Sequence, residues 1–356
     1  MTHSNLTIEA FVKLGNFLRT FCDLIEQNTL SNHLNDKWIS AFKSEAERAQ
    51  HYNGWFTEDN CMHAFKEWGN ALTKKNLEEW LSKYDLSANS EKVVALILAG
   101  NIPLVGFHDL LCVLITGNKA LVKLSSNDQK LIPLLIDYII DVEPTLKESV
   151  TFTKEKLDHY DAVIATGSNN TARYFEYYFG KKPNIIRKNR NSVAVLRGNE
   201  TEEELIALGE DIFRYFGLGC RSVSKIYIPK DYNIDTFYKA MFKHSDIINH
   251  NKYANNYDYN KAVYLMSEFK ILDNGFLILK EEESFGSPIA SLFFEYYTDE
   301  DSLKNKLYTN KDNLQCIVAS GFSEDEIAFG NTQKPKLNDY ADGIDTIEFL
   351  LNTSKN

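Results

Sequence analysis

The chain has 356 residues, 44% of them hydrophobic and 25% charged, with a formal net charge of −11. That length holds two domains or one large α/β unit with ample core, and the acidic balance argues against a nucleic-acid backbone as partner. No apolar run of ~18 residues predicts a membrane span, and the start, MTHSNLTIEA, lacks the basic and apolar stretches of a secretory signal.

Residues 1–88 read as helical. TIEAFVKLGNFLRTF and HAFKEWGNALTKKNLEEWLSKY place apolar residues at three- and four-residue spacing. Loop signals stand at Asn53-Gly54 and over 85–89. The texture then changes. KVVALILAG (92–100), ALVKL (120–124) and YDAVIAT (160–166) are short apolar runs, and VTFT (150–153) is a fourth strand candidate. Helical stretches over 104–116 and 128–140 separate them. Strands buried on both faces and alternating with helices predict a parallel sheet with crossovers, and nucleotide chemistry belongs at the carboxyl ends of such strands.

Thr201 and Glu204 predict a capping box opening a helix over 201–216, with Leu205, Leu208, Ile212 and Phe216 on one face. Gly217 and Gly219 are read as its stop. SKIYIP (224–229) alternates like a half-buried strand. Residues 241–262 read as loop plus helix, and 351–356 as a frayed end.

Five stretches carry candidate chemistry. YFGLGCRSVSKIYIP (215–229) holds Cys220 between a glycine and an arginine. A thiol titrates near ~8.5, and a neighbouring cation, Arg221 or Lys225, lowers that; the ordinary reading is a small buried hydrophobe. In LILAGNIPLVGFHDLL (96–111) Asn101 leaves a strand end, placed to donate to an oxyanion or to bond its own turn. In GNKALVKLSSND (117–128) Lys123, Ser125 and Ser126 suit a ribose or phosphate, or a helix cap. In TGSNNTARYF (166–175) Gly167 and Ser168 open a helix whose N-terminus attracts phosphate, or form a plain βα-turn. EEESFGSP (281–288) sets Glu283 and Phe285 one residue apart in an extended loop. His244 and His250 read as solvated or capping, and His108 with Asp109 as a packing histidine and a capping aspartate.

The other cysteines, Cys22, Cys61, Cys112 and Cys316, make the total odd; the five are far apart without CxxC spacing, and the eight histidines form no HExxH. This predicts a reducing, cytoplasmic setting with neither disulfide framework nor metal site.

The running order of these stretches, strand–Asn-Ile-Pro, strand–Lys–Ser, strand–Thr-Gly-Ser, helix–Gly–Cys, then Glu–x–Phe-Gly, resembles the aldehyde dehydrogenase superfamily. Within it the chain is similar to the long-chain acyl-CoA reductases of the LuxC type over about residues 50–350. The most specific parts are LAGNIPLVGFHDLL, FGLGCRSVSKIYIP and LNDYADGIDTIEFL (337–350).

The resemblance implies an α/β fold with a Rossmann-like cofactor domain and a second α/β catalytic domain. The expected division is a helical segment at 1–88, a cofactor domain at 89–190, a catalytic domain at 191–330 and a C-terminal segment at 331–356. It implies Cys220 as the nucleophile that becomes acylated, with Asn101 and the Cys220 backbone amide stabilising the oxyanion. Lys123 then contacts the adenosine ribose or its phosphate, Gly167 and Ser168 lie against the pyrophosphate or nicotinamide, and Glu283 holds the nicotinamide ribose with Phe285 beside it. The C-terminal segment commonly completes a neighbour's sheet in this superfamily, so YADGIDTIEFL is expected to do so in a homodimer or larger assembly.

Two departures from the superfamily pattern bear on the reaction. Aldehyde-oxidising members carry a water-activating glutamate before the cysteine, and IIRKNRNSVAVL (185–196) has no carboxylate. Thiolate exchange with coenzyme A needs no such base. Where NAD-dependent members place a glutamate against the ribose hydroxyls, this chain has Ser126, which leaves room for a 2′-phosphate and favours NADPH. The expected activity is NADPH-dependent reduction of a fatty acyl-CoA, or a carrier-protein thioester, to the aldehyde. The rivals are aldehyde oxidation on the same fold, a cysteine acyltransferase without redox activity, and an inactive binding protein. Chain length of the acyl group is not legible.

Overall fold

The computed structural model describes residues 3–353. It divides into two compact units, one formed by the chain up to Lys188 with the stretch from Lys336 onward, the other by Asn189–Pro335.

The first unit opens with four helices, α1 (His3–Glu26), α2 (Lys37–Tyr52), α3 (Glu58–Ala71) and α4 (Lys74–Leu81). Asp36, Thr57 and Thr73 cap the last three by accepting backbone N–H groups. The run 63–84 is therefore two helices, because Thr73 starts a new one. Phe11, Leu14, Leu18 and Phe21 form the buried stripe of α1. Gly15 lets α1 approach Leu72 closely: a Cβ there would lie 2.2 Å from the Leu72 carbonyl oxygen.

A parallel five-stranded sheet follows: β1 (Val93–Ile97), β2 (Lys119–Lys123), β3 (Val150–Phe152), β4 (Ala162–Thr166) and β5 (Asn184–Arg187), in the order β3-β2-β1-β4-β5. Helices α5 (Phe107–Ile115), α6 (Leu131–Val142) and α7 (Asn169–Phe179) make the connections. β1 and β4 are buried through their centres, which is why both read as unbroken apolar runs. The strand order reverses between β1 and β4, the position where ligands bind in open parallel sheets.

The C-terminal segment belongs to the first unit from Lys336 onward. Its end is a helix, Thr346–Asn352, capped by Asp345 with Ile347 and Leu350 buried. Of the end read as frayed, residues 354–356 lie outside the described residues.

The second unit holds β6 (Asn191–Val195), α8 (Glu202–Phe213), β7 (Val223–Pro229), α9 (Ile234–Met241), α10 (Asn251–Met266), β8 (Ile271–Asp273), β9 (Ile278–Glu281), β10 (Ser291–Tyr297), α11 (Glu300–Thr309) and β11 (Leu314–Val318). The sheet order is β11-β6-β7-β10-β9-β8, parallel except for the β8–β9 pair. β7 lies between β6 and β10 and is buried along most of its length, so it is a central strand rather than a half-buried one. Ile226 and Ile228 enter one apolar cluster and Tyr227 another.

Thr201 and Glu204 form the reciprocal capping box. The helix ends earlier than its period suggests. α8 stops at Phe213, and Tyr215 and Phe216 adopt left-handed backbone with φ of 55° and 57°. Phe216 therefore leaves the helical face and packs against His250 and Tyr253. Left-handed backbone costs a non-glycine residue roughly 1–2 kcal/mol, which burial of both aromatic rings offsets.

Among the described residues no helix is long and apolar enough to cross a membrane, and no group of three or more His, Cys, Asp or Glu side chains is placed to hold a metal ion.

Candidate active site

In the first unit the candidate residues gather where β1, β2 and β4 end. Asn101 is exposed on the segment leaving β1. Beside it, Gly100 permits a close approach that no larger residue would: a Cβ would meet Ser125 Cβ at 2.7 Å and Ser125 Oγ at 2.8 Å. The exits of β1 and β2 therefore touch. Asp128 braces both. Its carboxylate accepts from Leu104 N at 3.4 Å and Leu131 N at 3.2 Å, and its own amide donates to Ser125 O at 3.2 Å. Burial pushes the Asp128 carboxyl up to about 6, opposed by those backbone donors.

Lys123 ends β2, and its ammonium donates to the Glu155 carbonyl at 3.3 Å. Ser125 Oγ accepts from Asn127 N, and Ser126 is exposed. After β4, Ser168 caps α7 by accepting from Thr171 N at 3.3 Å. Gly167 is fixed by crowding, since a Cβ would lie 2.9 Å from Phe175 and 3.0 Å from Thr171. Parallel strand ends, a helix N-terminus at the β4 exit and a position at the strand-order reversal together fit a dinucleotide.

In the second unit Cys220 sits on the approach to β7. Its carbonyl accepts from Ser192 Oγ of β6 at 2.9 Å. The Glu283–Phe285 loop is held by the same strand: Ser224 Oγ donates to Phe285 O at 2.7 Å, and Lys225 Nζ donates to Glu283 O at 2.8 Å. Gly286 presses against Asn191, whose Oδ1 would stand 2.8 Å from a Cβ. The Glu283 side chain is exposed and Phe285 is half-buried. β6 and β7 thus anchor both the Cys220 peptide and the Glu283–Phe285 loop within this unit.

Cys220 is exposed, whereas Cys22, Cys61, Cys112 and Cys316 are buried. Burial pushes the Cys22 thiol up to about 12 and raises those of Cys61 and Cys112 as well. The two neighbouring cations have partners of their own. Arg221 Nε donates to Thr332 O at 2.6 Å. Lys225 Nζ, fully buried, is bound by Glu295 at 2.8 Å, so the reading of Lys225 as a partner for the thiol is replaced by a role in the loop.

His108 is a packing histidine, set among Trp68, Trp80 and Tyr340 with Nε2 on Leu337 O at 2.9 Å; burial lowers its pKa. Asp109 is no cap, since Gly106 occupies that position. It pairs with buried Arg187 at 2.7 and 3.2 Å, and Arg187 also bonds Ala341 O and Thr346 Oγ1. His244 lies against Gly209 and Phe213 with Nε2 on Ile206 O.

Ser192, Ser224 and Asp128 escaped the sequence reading, and Lys225 entered it only as a cation near the thiol. A buried lysine and serines inside an apolar strand were a visible signal, because such groups need internal partners.

The family model described as acyl-CoA reductase (LuxC) matches residues 45–275. A long-chain acyl-protein thioester reductase from Aliivibrio fischeri is 26% identical over 276 residues, covering 68% of this chain and 56% of the relative. One from Vibrio harveyi is 24% identical over 206 residues, covering 53% and 43%. The chain thus spans about half the length of the curated relatives it matches. Among solved structures, aldehyde dehydrogenase 21 from Physcomitrella patens, in complex with succinate, aligns with 99% of this chain and 89% of its own at TM-score 0.62 and 12% identity. A "putative aldehyde dehydrogenase" from Burkholderia cenocepacia aligns with 88% of this chain and 74% of its own at TM-score 0.57 and 12% identity. These likenesses identify the fold as that of the aldehyde dehydrogenases.

Proposed function

The chain belongs to the acyl-CoA reductase (LuxC) family, and from that premise we propose that it reduces a fatty acyl thioester to the aldehyde through an acyl-Cys220 intermediate, preferring NADPH. The acyl donor is a coenzyme A or protein thioester; the relatives from Aliivibrio fischeri and Vibrio harveyi are named for the latter. The observation that carries the reading is the contrast among thiols: Cys220 is exposed while the other four are buried.

In this reading the Cys220 thiolate attacks the thioester carbonyl carbon and a new C–S bond forms. The backbone N–H of Cys220 donates to the oxyanion, and by the resemblance the Asn101 side-chain amide takes the same role; such a donor contributes about 3 kcal/mol. The C–S bond to the donor breaks and its thiolate leaves, so no net proton is consumed. A bound nicotinamide supplies the hydride that reduces the acyl-cysteine. The resulting hemithioacetal breaks its C–S bond, releasing aldehyde and restoring the thiolate.

Glu283 accepts from the nicotinamide ribose hydroxyls, with the Phe285 ring beside it. Lys123 and Ser125 hold the adenosine end. Ser126, exposed and uncharged, accommodates a 2′-phosphate. Gly167 and Ser168 hold the pyrophosphate at the start of α7. The stretch 185–196 holds no carboxylate to activate water, which favours release by reduction over hydrolysis.

The test mixes the protein with acyl-CoAs of graded length and with acylated carrier protein, and follows the acyl adduct by intact mass and then NADPH oxidation. Cys220→Ala abolishes both; Asn101→Ala slows acylation by roughly 100-fold. An adduct that forms but never oxidises NADPH or NADH makes the protein an acyltransferase. NADP or NAD reduction with free aldehyde, without acyl transfer, makes it a dehydrogenase working oxidatively.

A further inference from the structure

The loop bearing Glu283 and Phe285 is fastened by a residue that a core strand has no ordinary reason to contain. Lys225 lies in the middle of the second sheet with no solvent exposure. Its ammonium donates to Glu283 O and to Glu295 Oε2, both at 2.8 Å, and stands 4.9 Å from the Tyr227 ring and 5.5 Å from the Phe285 ring. A lysine has three donors and no acceptor. Here one neutralises a carboxylate and another holds a loop carbonyl.

Stability alone does not ask for this group, because well-packed apolar side chains in place of a buried ion pair are often neutral or stabilising. The neighbours of Lys225 on β7, Ile226 and Ile228, are fully buried apolar residues. What the lysine adds is direction: it ties one carbonyl of the loop to one point of the sheet. Ser224, the preceding residue, ties a second carbonyl, that of Phe285, at 2.7 Å. The β6–β7 ladder shifts register at this point, Ser192 facing Val223 and Val193 facing Lys225, and the two adjacent side chains hold two carbonyls of the same loop. Glu282 completes the clasp, its Oε1 accepting from Glu283 N and Ser284 N. The strand that supplies the clasp begins three residues after Cys220.

We propose that Lys225 is a positioning residue for the nucleotide: its ammonium fixes the Glu283 backbone, and so holds the Glu283 carboxylate and the Phe285 ring in the posture that receives the nicotinamide ribose. The inference rests on the reading of Glu283 and Phe285 as nucleotide contacts. Lys225 touches no reacting atom; it acts through the loop.

The experiment titrates the purified full chain with NADPH by nucleotide fluorescence, without acyl donor, for wild type, Lys225→Met, Ser224→Ala and Lys306→Met. Lys306 shares Glu295 with Lys225 and donates to that carboxylate rather than to a loop carbonyl, so its variant disturbs the same carboxylate without loosening the clasp. Loss of the anchoring bond is expected to raise the NADPH Kd about tenfold in Lys225→Met, a few-fold in Ser224→Ala and less than about twofold in Lys306→Met. In turnover the KM for NADPH rises more steeply than kcat falls. A folded Lys225→Met that binds NADPH like wild type, or a Lys306→Met that matches it, overturns the proposal. Should Lys225→Met fail to fold, an unchanged Kd in Ser224→Ala overturns it instead. A wild type that binds no nicotinamide nucleotide sinks the reductase reading itself, an outcome distinct from unequal or equal binding among the variants.

Discussion

Ser192 Oγ donates to the carbonyl oxygen of Cys220 at 2.9 Å, so the peptide after the candidate nucleophile is fastened to β6 by a fully buried hydroxyl. The tether leaves the thiol outside and the backbone held. Ser192→Ala removes it and leaves a carbonyl to find water. A single bond of this kind is worth about 1 kcal/mol, so global stability falls by that order. The rate of Cys220 acylation is expected to fall by several-fold, since the carbonyl carbon and the following amide lose their fixed orientation. An acylation rate equal to wild type, measured in single turnover, would show that the remaining structure holds the peptide unaided.

The thiol contrast makes a sharper prediction. Cys220 is exposed and Cys22, Cys61, Cys112 and Cys316 are buried, so iodoacetamide under native conditions alkylates one site within minutes. The others react only after denaturation. Peptide mapping of the singly labelled protein identifies the site. Rapid labelling of two or more positions in the folded chain contradicts the assignment.

The first sheet was readable because β1 and β4 are covered on both faces and so appear as apolar runs. The strand-end positions of Asn101, Lys123, Ser125 and Gly167 followed from those runs. The strands of 271–318 were not read: β8, β9 and β10 mix Lys280, Glu281, Glu295 and tyrosines into short segments, and their partners are distant in sequence. The end of α8 misled for a different reason. Its apolar period continues through Phe216, and only backbone angles reveal that Tyr215 and Phe216 turn left-handed. The end of the C-terminal segment is a helix that its own residues specify, with Asp345 as cap and Ile347 and Leu350 at helical spacing.

Arg187 and Asp109 form a buried pair within the first unit, with Arg187 also bonding Ala341 O and Thr346 Oγ1. Removing one partner strands the other charge. Arg187→Met is expected to cost about 3–5 kcal/mol, read as a fall in the urea midpoint, and to release the final helix. A double variant, Arg187→Met with Asp109→Leu, recovers much of the loss because neither charge remains. If the double variant is no more stable than the single, the cost lies in packing rather than in the stranded carboxylate.

Asp128 gives the chain a pH dependence whose sign is set by burial. Its carboxyl moves from the ordinary 3.8 to about 6 in the fold, so between those values the folded state binds more proton than the unfolded state. Stability contributed by this group is full below pH ~3.8 and is lost as pH rises through ~6. The size is at most about 3 kcal/mol, from a shift of roughly two units. Asp128→Asn keeps an acceptor for Leu104 N or Leu131 N and removes the titration. The variant should therefore gain on wild type by about 1–3 kcal/mol between pH 4.5 and pH 7.5, measured by urea denaturation across that range. The same carboxylate fixes the left-handed turn at Leu104, φ 61°, on the segment that carries Asn101. A difference between variant and wild type that does not change with pH would mean that Asp128 stays ionised in the fold despite its burial.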